Sequence, residues 1–384
     1  MTALRMLALS PVPEEGAGCR FRIAQYMPSL AAAGIEVTLS PFYTTEFFRL
    51  VYQKGRSLRK AALFLERAFE RVRTLAERGR YDAIFIYREA FPIGPALIEA
   101  ALARAPRTAV VYDFDDAIYL PNTSEANRAI AVLKWPGKVR SIVQRSHAVI
   151  AGNGYLAAYA RAFNPHVAII PTVVDTDLFV PRAGAVAAAG APEPSPPLVG
   201  WIGTPTTARY LAAIGPALQE LARTHPFVLR ICGAGADVDV PGVRVENVRW
   251  TLENEVALFN TCDIGVYPLP DDEWARGKCG FKAIQFMACG VPVVASPVGV
   301  NRDIIQDGVS GLLAPAAADW TTQLGRLIAD PQARRAIGRA GRRAIEARYS
   351  LRGTAPRLVE VVVEAVERAR QPAAARLQSA GVSR

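Results

Sequence analysis

Short aliphatic or β-branched runs alternate with segments whose apolar residues recur at helical spacing along most of the chain. In the first half the pattern predicts strands at 5–10, 36–40, 83–87, 108–112 and 148–151. A helix is expected over 22–33, stopped by Gly34, and a long one over 57–78; 169–171 begins an exit segment. Residues 181–197 are small, proline-rich and nearly uncharged, the composition of a linker. The rhythm then restarts, with strands at 198–202, 227–232, 243–248, 264–266 and 291–295. Basic helices are expected over 331–348 and 352–369, followed by a disordered tail at 371–384. Such alternation argues for an α/β chain whose parallel sheets are joined by crossover helices.

The densest information lies in residues 278–299, KCGFKAIQFMACGVPVVASPVG. They read as a loop, a short helix, a sharp stop and a buried strand. Phe281, Ile284 and Ala288 supply an apolar stripe, while Lys282 and Gln285 share another face. Gly290 suits the left-handed position after a helix, and Pro292 forbids continuation. A helix N-terminus presents backbone N–H groups and the positive end of the dipole. Lys278 and Lys282 add two ammonium groups there, which makes a seat for a multiply charged anion such as a pyrophosphate. An ordinary αβ unit with solvated lysines is the competing reading.

This segment resembles the signature of GT-B glycosyltransferases, particularly the retaining family 4, in which Glu-Gly-Phe-Gly is followed by Leu-Glu-Ala-Met-Ala-x-Gly-x-Pro-Val-Val-Ala-Ser. Ala283-Ile284-Gln285-Phe286-Met287-Ala288-Cys289-Gly290-Val291-Pro292 matches its second half. Gln285 stands where the ribose-binding glutamate is expected, and Gly277 where the sugar-binding one is expected. The chain thus looks like a variant branch lacking both glutamates. The resemblance implies two Rossmann-like, doubly wound domains facing each other across a cleft. An acceptor-side domain would span 1–180, with the linker at 181–197. A nucleotide-sugar domain would span 198–350, with a closing helix at 351–370 that crosses back to the first domain.

Further motifs take their meaning from the same resemblance. Gly203 and Thr204, after the second domain's first strand, are expected to contact the donor diphosphate, with Arg209 the one basic residue downstream. A plain strand-to-helix turn is the alternative there, and Cys232-Gly233-Ala234-Gly235 reads as a tight turn. Cys279, Gly280 and Phe281 complete the donor loop with Lys278, Lys282 and Gln285. Asp272 or Glu273 could take over the binding of a sugar hydroxyl. Asp113, Asp115 and Asp116 crowd three carboxylates at a strand end, costly unless solvated, paired or functional. Asp115 is the best match to the family's histidine near the reacting sugar, and with Lys278 and Lys282 it makes the expected catalytic set. Asp113 and Asp116 would lie on the acceptor side. Magnesium binding or a merely exposed acidic turn are the rival readings of this run. In the loop Glu14–Arg22, Gly16 or Gly18 would allow close approach to the donor, and Arg20 and Arg22 could hold an anionic acceptor or remain solvated.

Composition narrows the partners. The chain has 384 residues and a formal net charge of +10, with no apolar run long enough to span a bilayer. Its start reads as a first strand rather than a signal peptide, so a cytoplasmic protein is expected. The five cysteines show no metal-ligand or disulfide spacing. No nucleic-acid motif appears, so phosphorylated substrates and anionic membranes are the better partners for the charge. Residues 49–80 carry ten basic residues against three acids, with interleaved Phe and Leu. This pattern fits a helix on the inner face of a membrane, or equally a helix packed on its own sheet.

The expected activity is hexosyl transfer from a UDP- or GDP-sugar to a glycan, lipid-linked or other hydroxyl acceptor, with retention. By resemblance it needs no metal and no cofactor. A degenerate binding or scaffold subunit and a sugar-nucleotide epimerase are the alternatives.

Overall fold

The computed structural model describes residues 3–51, 53, 55–121, 135–182 and 196–371. The expected linker at 181–197 and the tail at 371–384 therefore lie almost wholly outside the described residues. The chain divides into two units, Met1–Thr172 with Thr354–Arg384, and Val173–Gly353.

The first unit is built on six parallel strands: β1 Leu4–Ser10, β2 Ile35–Pro41, β3 Ala83–Tyr87, β4 Ala109–Phe114, β5 Ala148–Ala151 and β6 Val167–Ile169. Their order is β2-β1-β3-β4-β5-β6. β3, β4 and β5 are buried along their whole length, which is why they read as unbroken apolar runs. The strand at 108–112 extends further than expected and takes in Asp113 and Phe114. The helix expected over 22–33 is broken. Ala17–Arg22 and Met27–Ala32 are separate helices joined by a 3₁₀ turn, because Ile23 leaves helical angles and Pro28 brings no N–H to bond backwards. The helix Leu351–Arg370 buries Leu358, Val361, Val362, Ala365, Val366 and Ala369 at helical spacing. Its last turn anchors to the first unit through Arg368 Nε to His147 O (3.0 Å) and Arg370 to Asp82 (2.6 Å).

The second unit repeats the plan with β7 Leu198–Ile202, β8 Val228–Cys232, β9 Val245–Val248, β10 Ile264–Tyr267, β11 Val293–Ala295 and β12 Leu312–Leu313. All pairings are parallel, in the order β12-β11-β10-β7-β8-β9. β6 and β12 escaped the sequence pattern as strands. They are three- and two-residue edges, too short to show a period.

In both sheets the strand order reverses beside the first strand. The reversal falls between β1 and β3 in the first unit and between β7 and β10 in the second. In doubly wound sheets the crevice at the carboxyl ends of the strands flanking such a reversal is where ligands bind. The loops that leave β1, β3, β7 and β10 are therefore the ones to read for chemistry.

Candidate functional site

In the second unit the loop after β10 leads through the short helix Glu273–Arg276 to the helix Phe281–Ala288. A small apolar cluster of Tyr210, Leu269, Ala275 and Val298 pins this loop. Leu269 N also donates to Ser296 Oγ (3.0 Å), tying it to the residue after β11. The Phe281–Ala288 helix is buried almost all round rather than along a stripe. It lies against β10, β11 and the Pro331–Arg348 helix, so Gln285, Phe286 and Met287 are as covered as Ile284 and Ala288, while Phe281 is only half-buried. Gly290 has φ +71°, as its place after the helix predicts.

The helix N-terminus has no side-chain cap, and Gly280 precedes it at φ +64°. A Cβ there would lie 2.3 Å from Ile304 Cδ1 and 3.0 Å from Asn301 Oδ1, both on buried residues. Gly280→Ala should therefore cost about 2–4 kcal/mol, from the left-handed backbone and the overpacking together. Urea unfolding measures it, and an unchanged midpoint would remove glycine's role in shaping this end.

Lys282 Nζ donates to Gln285 Oε1 at 2.8 Å. It stands 5.1 Å from the Phe259 ring centroid, and Lys278 Nζ stands 5.9 Å from that of Trp274. Burial pushes the Cys232 thiol up to about 11, while Lys282 and then Arg230 pull it the other way. Two buried polar atoms in this neighbourhood, Gln285 Nε2 and Asn301 Oδ1, have no hydrogen-bond partner among the described residues. Asp272 caps the Glu273–Arg276 helix by accepting from Ala275 N (2.7 Å), and Glu273 is exposed in its first turn.

The loop after β7 is exposed at Thr204 and Arg209, and Arg209 lies over the Tyr210 ring. Thr204 N donates to Thr207 Oγ1 (2.9 Å), closing a tight turn. The space a Cβ would take at Gly203 is held by Trp201 and Thr207, and Gly203 O abuts Gly233. The two glycine-bearing loops therefore lean on each other, and packing accounts for Gly203.

In the first unit the acidic run is paired throughout. Asp113 is fully buried within β4, and Arg22 reaches it as a two-pronged ion pair, with Nε to Oδ2 at 2.9 Å. Arg22 also donates to Ile170 O (2.9 Å). Burial opposes the Arg22 charge, but Asp113 holds the guanidinium above its ordinary range. Arg22 and Asp113, expected on the acceptor side, are both buried in the core of the first unit, where their charges serve each other. Arg20 lies on the Phe21 ring and donates to Glu15 O (3.1 Å).

Asp115 and Asp116 sit at the edge of this core, with side chains 15% and 22% exposed. Arg88, directly after β3, pairs with both. Tyr87 donates its hydroxyl to Asp115 Oδ1 (2.9 Å). That hydroxyl lies 2.4 Å from where a Gly18 Cβ would be, so Gly18 makes room for Tyr87. Arg88 has φ +58°, a strained value for a side-chain-bearing residue. Neither Tyr87 nor Arg88 was singled out from sequence, since a left-handed arginine leaves no compositional trace. Burial would raise the Asp115 carboxyl, but Arg88 first, then Arg22 and the Tyr87 hydroxyl, hold it below the usual range. A depressed carboxylate stabilises the fold above its unfolded pKa, near ~4, and that stabilisation is lost as pH falls through the folded value. Arg88→Met should therefore start acid unfolding at higher pH than in the wild type, read as melting temperature against pH. Superimposable curves would show that the pairing has no such role. Among the described residues no group of three or more His, Cys, Asp or Glu stands where it could hold a metal ion.

Residues 197–330 match the family model described as Glycosyl transferases group 1. A D-inositol 3-phosphate glycosyltransferase of Segniliparus rotundus is 28% identical over 225 residues, which is 54% of this chain and 49% of that protein. The chain thus spans about half the length of that relative. Among solved structures, sucrose-phosphate synthase from Thermosynechococcus elongatus aligns with a TM-score of 0.64 at 19% identity, covering 94% of this chain and 98% of that one. Anabaena Alr3699/HepE, solved with UDP-glucose, aligns with a TM-score of 0.63 at 16% identity over 94% of this chain and 99% of that one. At these identities the likeness establishes the fold: two parallel-sheet, Rossmann-like α/β domains of GT-B type.

Proposed function

We propose that this chain is a glycosyltransferase that moves a hexose from a nucleoside-diphosphate sugar to a hydroxyl acceptor, a glycan or a lipid-linked sugar, with retention of configuration. One observation carries the reading: Lys278 and Lys282 stand at the uncapped N-terminus of the Phe281–Ala288 helix, at the carboxyl edge of a doubly wound sheet beside its reversal point. The matched family model covers this segment.

In this mechanism the bond between the anomeric carbon and the diphosphate oxygen breaks, and the acceptor hydroxyl forms the new bond on the same face. Its proton passes to a phosphate oxygen of the departing diphosphate. No protein nucleophile is needed; the chain's work is positioning and stabilising the leaving charge. Lys278, Lys282 and the helix dipole do the latter. Gln285, expected at the ribose, is buried beneath Lys282 and accepts from its ammonium, so its part is to orient that charge. Gly203, Thr204, Arg209, Cys279, Gly280, Phe281 and Glu273 border the donor. Asp115, held ionised by Arg88 and Tyr87, serves the sugar or the acceptor, with Asp116 and Arg20 on the acceptor side. UDP- and GDP-sugars are the expected donors, used without a metal.

The test is a panel of UDP-, GDP- and dTDP-sugars incubated with and without lipid or glycan acceptors, following diphosphate release and product anomer. Acceptor-dependent release with a retained anomer supports the reading. Isomerised donor without release would replace it by an epimerase, and binding without turnover by a scaffold.

A further inference from the structure

The helix Ser57–Glu77 of the first unit has two apolar sides. One faces inward, where Phe64 meets Phe42 and Phe91. The other is Leu58, Ala61, Ala62, Leu65, Phe69, Val72 and Ala76, which recur at spacings of about three to four and are all exposed. Leu58 is 89% exposed, Leu65 68% and Phe69 65%. Phe69 and Val72 also form one wall of an apolar cavity of about 570 Å³, whose other wall is Ile93, Pro95, Leu97, Ile98 and Trp135. Leu97 and Trp135 stand out at its rim, 70% and 56% exposed. Arg56, Arg59 and Arg73 are exposed on the same helix or at its start. Arg59 and Arg73 pair with the exposed Glu46 and Glu70, weak contacts that a headgroup phosphate can displace. Among the described residues no helix is long and apolar enough to cross a membrane.

From these observations we infer that the outward face of Ser57–Glu77 lies in the surface of an anionic bilayer, with one acyl chain entering the cavity beside Trp135. The apolar stripe supplies insertion and the basic surplus of residues 49–80 supplies attraction to headgroups. Charge decides between occupants. A second copy packed on this face would bring two like basic surpluses together, whereas an anionic lipid surface complements one. A tryptophan at the rim of an apolar slot is suited to the headgroup level, with its ring buried and its N–H wet. The inference uses the first unit alone and no step of the proposed reaction, so either can fail without the other.

Vesicle flotation of the full chain tests it, with phosphatidylcholine alone and with added phosphatidylglycerol. The protein should float with anionic vesicles, weakly with neutral ones, and be released by high salt. Leu65→Ser with Phe69→Ser should reduce binding by about tenfold or more, with an unchanged circular dichroism spectrum, since both residues are exposed. Lipids brominated along the chain should quench tryptophan emission in the wild type, and Trp135→Phe should lose most of that quenching. Absence of flotation, equal binding of the double variant, or quenching unaffected by Trp135→Phe would overturn the inference. So would a dimer in solution that the double variant converts to monomer, which would make a second copy the occupant.

Discussion

Lys282→Ala should lower kcat for sugar transfer by about 10²–10³-fold while leaving the second unit folded, the loss typical of removing one preorganised group that stabilises a leaving charge. Lys282 Nζ donates to Gln285, a neutral amide that is itself fully buried. A neutral partner orients the ammonium without cancelling its field. Steady-state kinetics with the preferred donor, beside a melting curve, measures the effect. A variant within threefold of wild type would show that the diphosphate sits elsewhere. Gln285→Glu makes the complementary case. The new carboxylate would find Lys282 already 2.8 Å away, so the protein should fold. Donor use should suffer less than in Lys282→Ala, since the ammonium remains although the new carboxylate offsets part of its field.

Arg22→Met should destabilise the first unit by about 3–5 kcal/mol, the usual result of stranding one partner of a buried ion pair. Asp113 is fully buried, and its two carboxylate oxygens both accept from Arg22. In a unit of this size each kcal/mol moves the melting temperature by about 2–4 °C. The double variant Arg22→Met with Asp113→Leu should recover most of the loss, because two apolar groups of similar bulk need no partner. Thermal unfolding of both single variants and the double variant decides. Equal loss in the single and double variants would mean that Asp113 is not what Arg22 serves.

The elements most fully legible in sequence were those with a long period or a strong stop. The Ser57–Glu77 and Pro331–Arg348 helices and strands β3, β5 and β7 fall where the apolar pattern put them. The turn at Gly290 is a local matter of one left-handed residue and one proline. The break at Ile23–Pro28 was missed because helical spacing continued across it. β6 and β12 were missed because two or three residues carry no period.

At the candidate site, the paired lysines and their helix could be read from a single segment, since all their geometry is local. The acidic run could not. Its three carboxylates are adjacent in sequence, yet Asp113 turns into the core toward Arg22 while Asp115 and Asp116 turn to Arg88. Which way each turns depends on where β4 ends and on residues tens of positions away. Nor did the sequence indicate that Arg88 adopts a left-handed backbone, or that Gly18 is small to admit Tyr87.

By itself, then, the sequence determined the kind of fold and a helix at residues 281–288 with lysines at its start, because periodicity and helix-end chemistry act between near neighbours. Only the tertiary structure decided which charges are buried in pairs and which lie near the surface. Burial and pairing are set by strands and loops that meet across the fold, and the free energy of a charge depends on its surroundings more than on its neighbours in the chain.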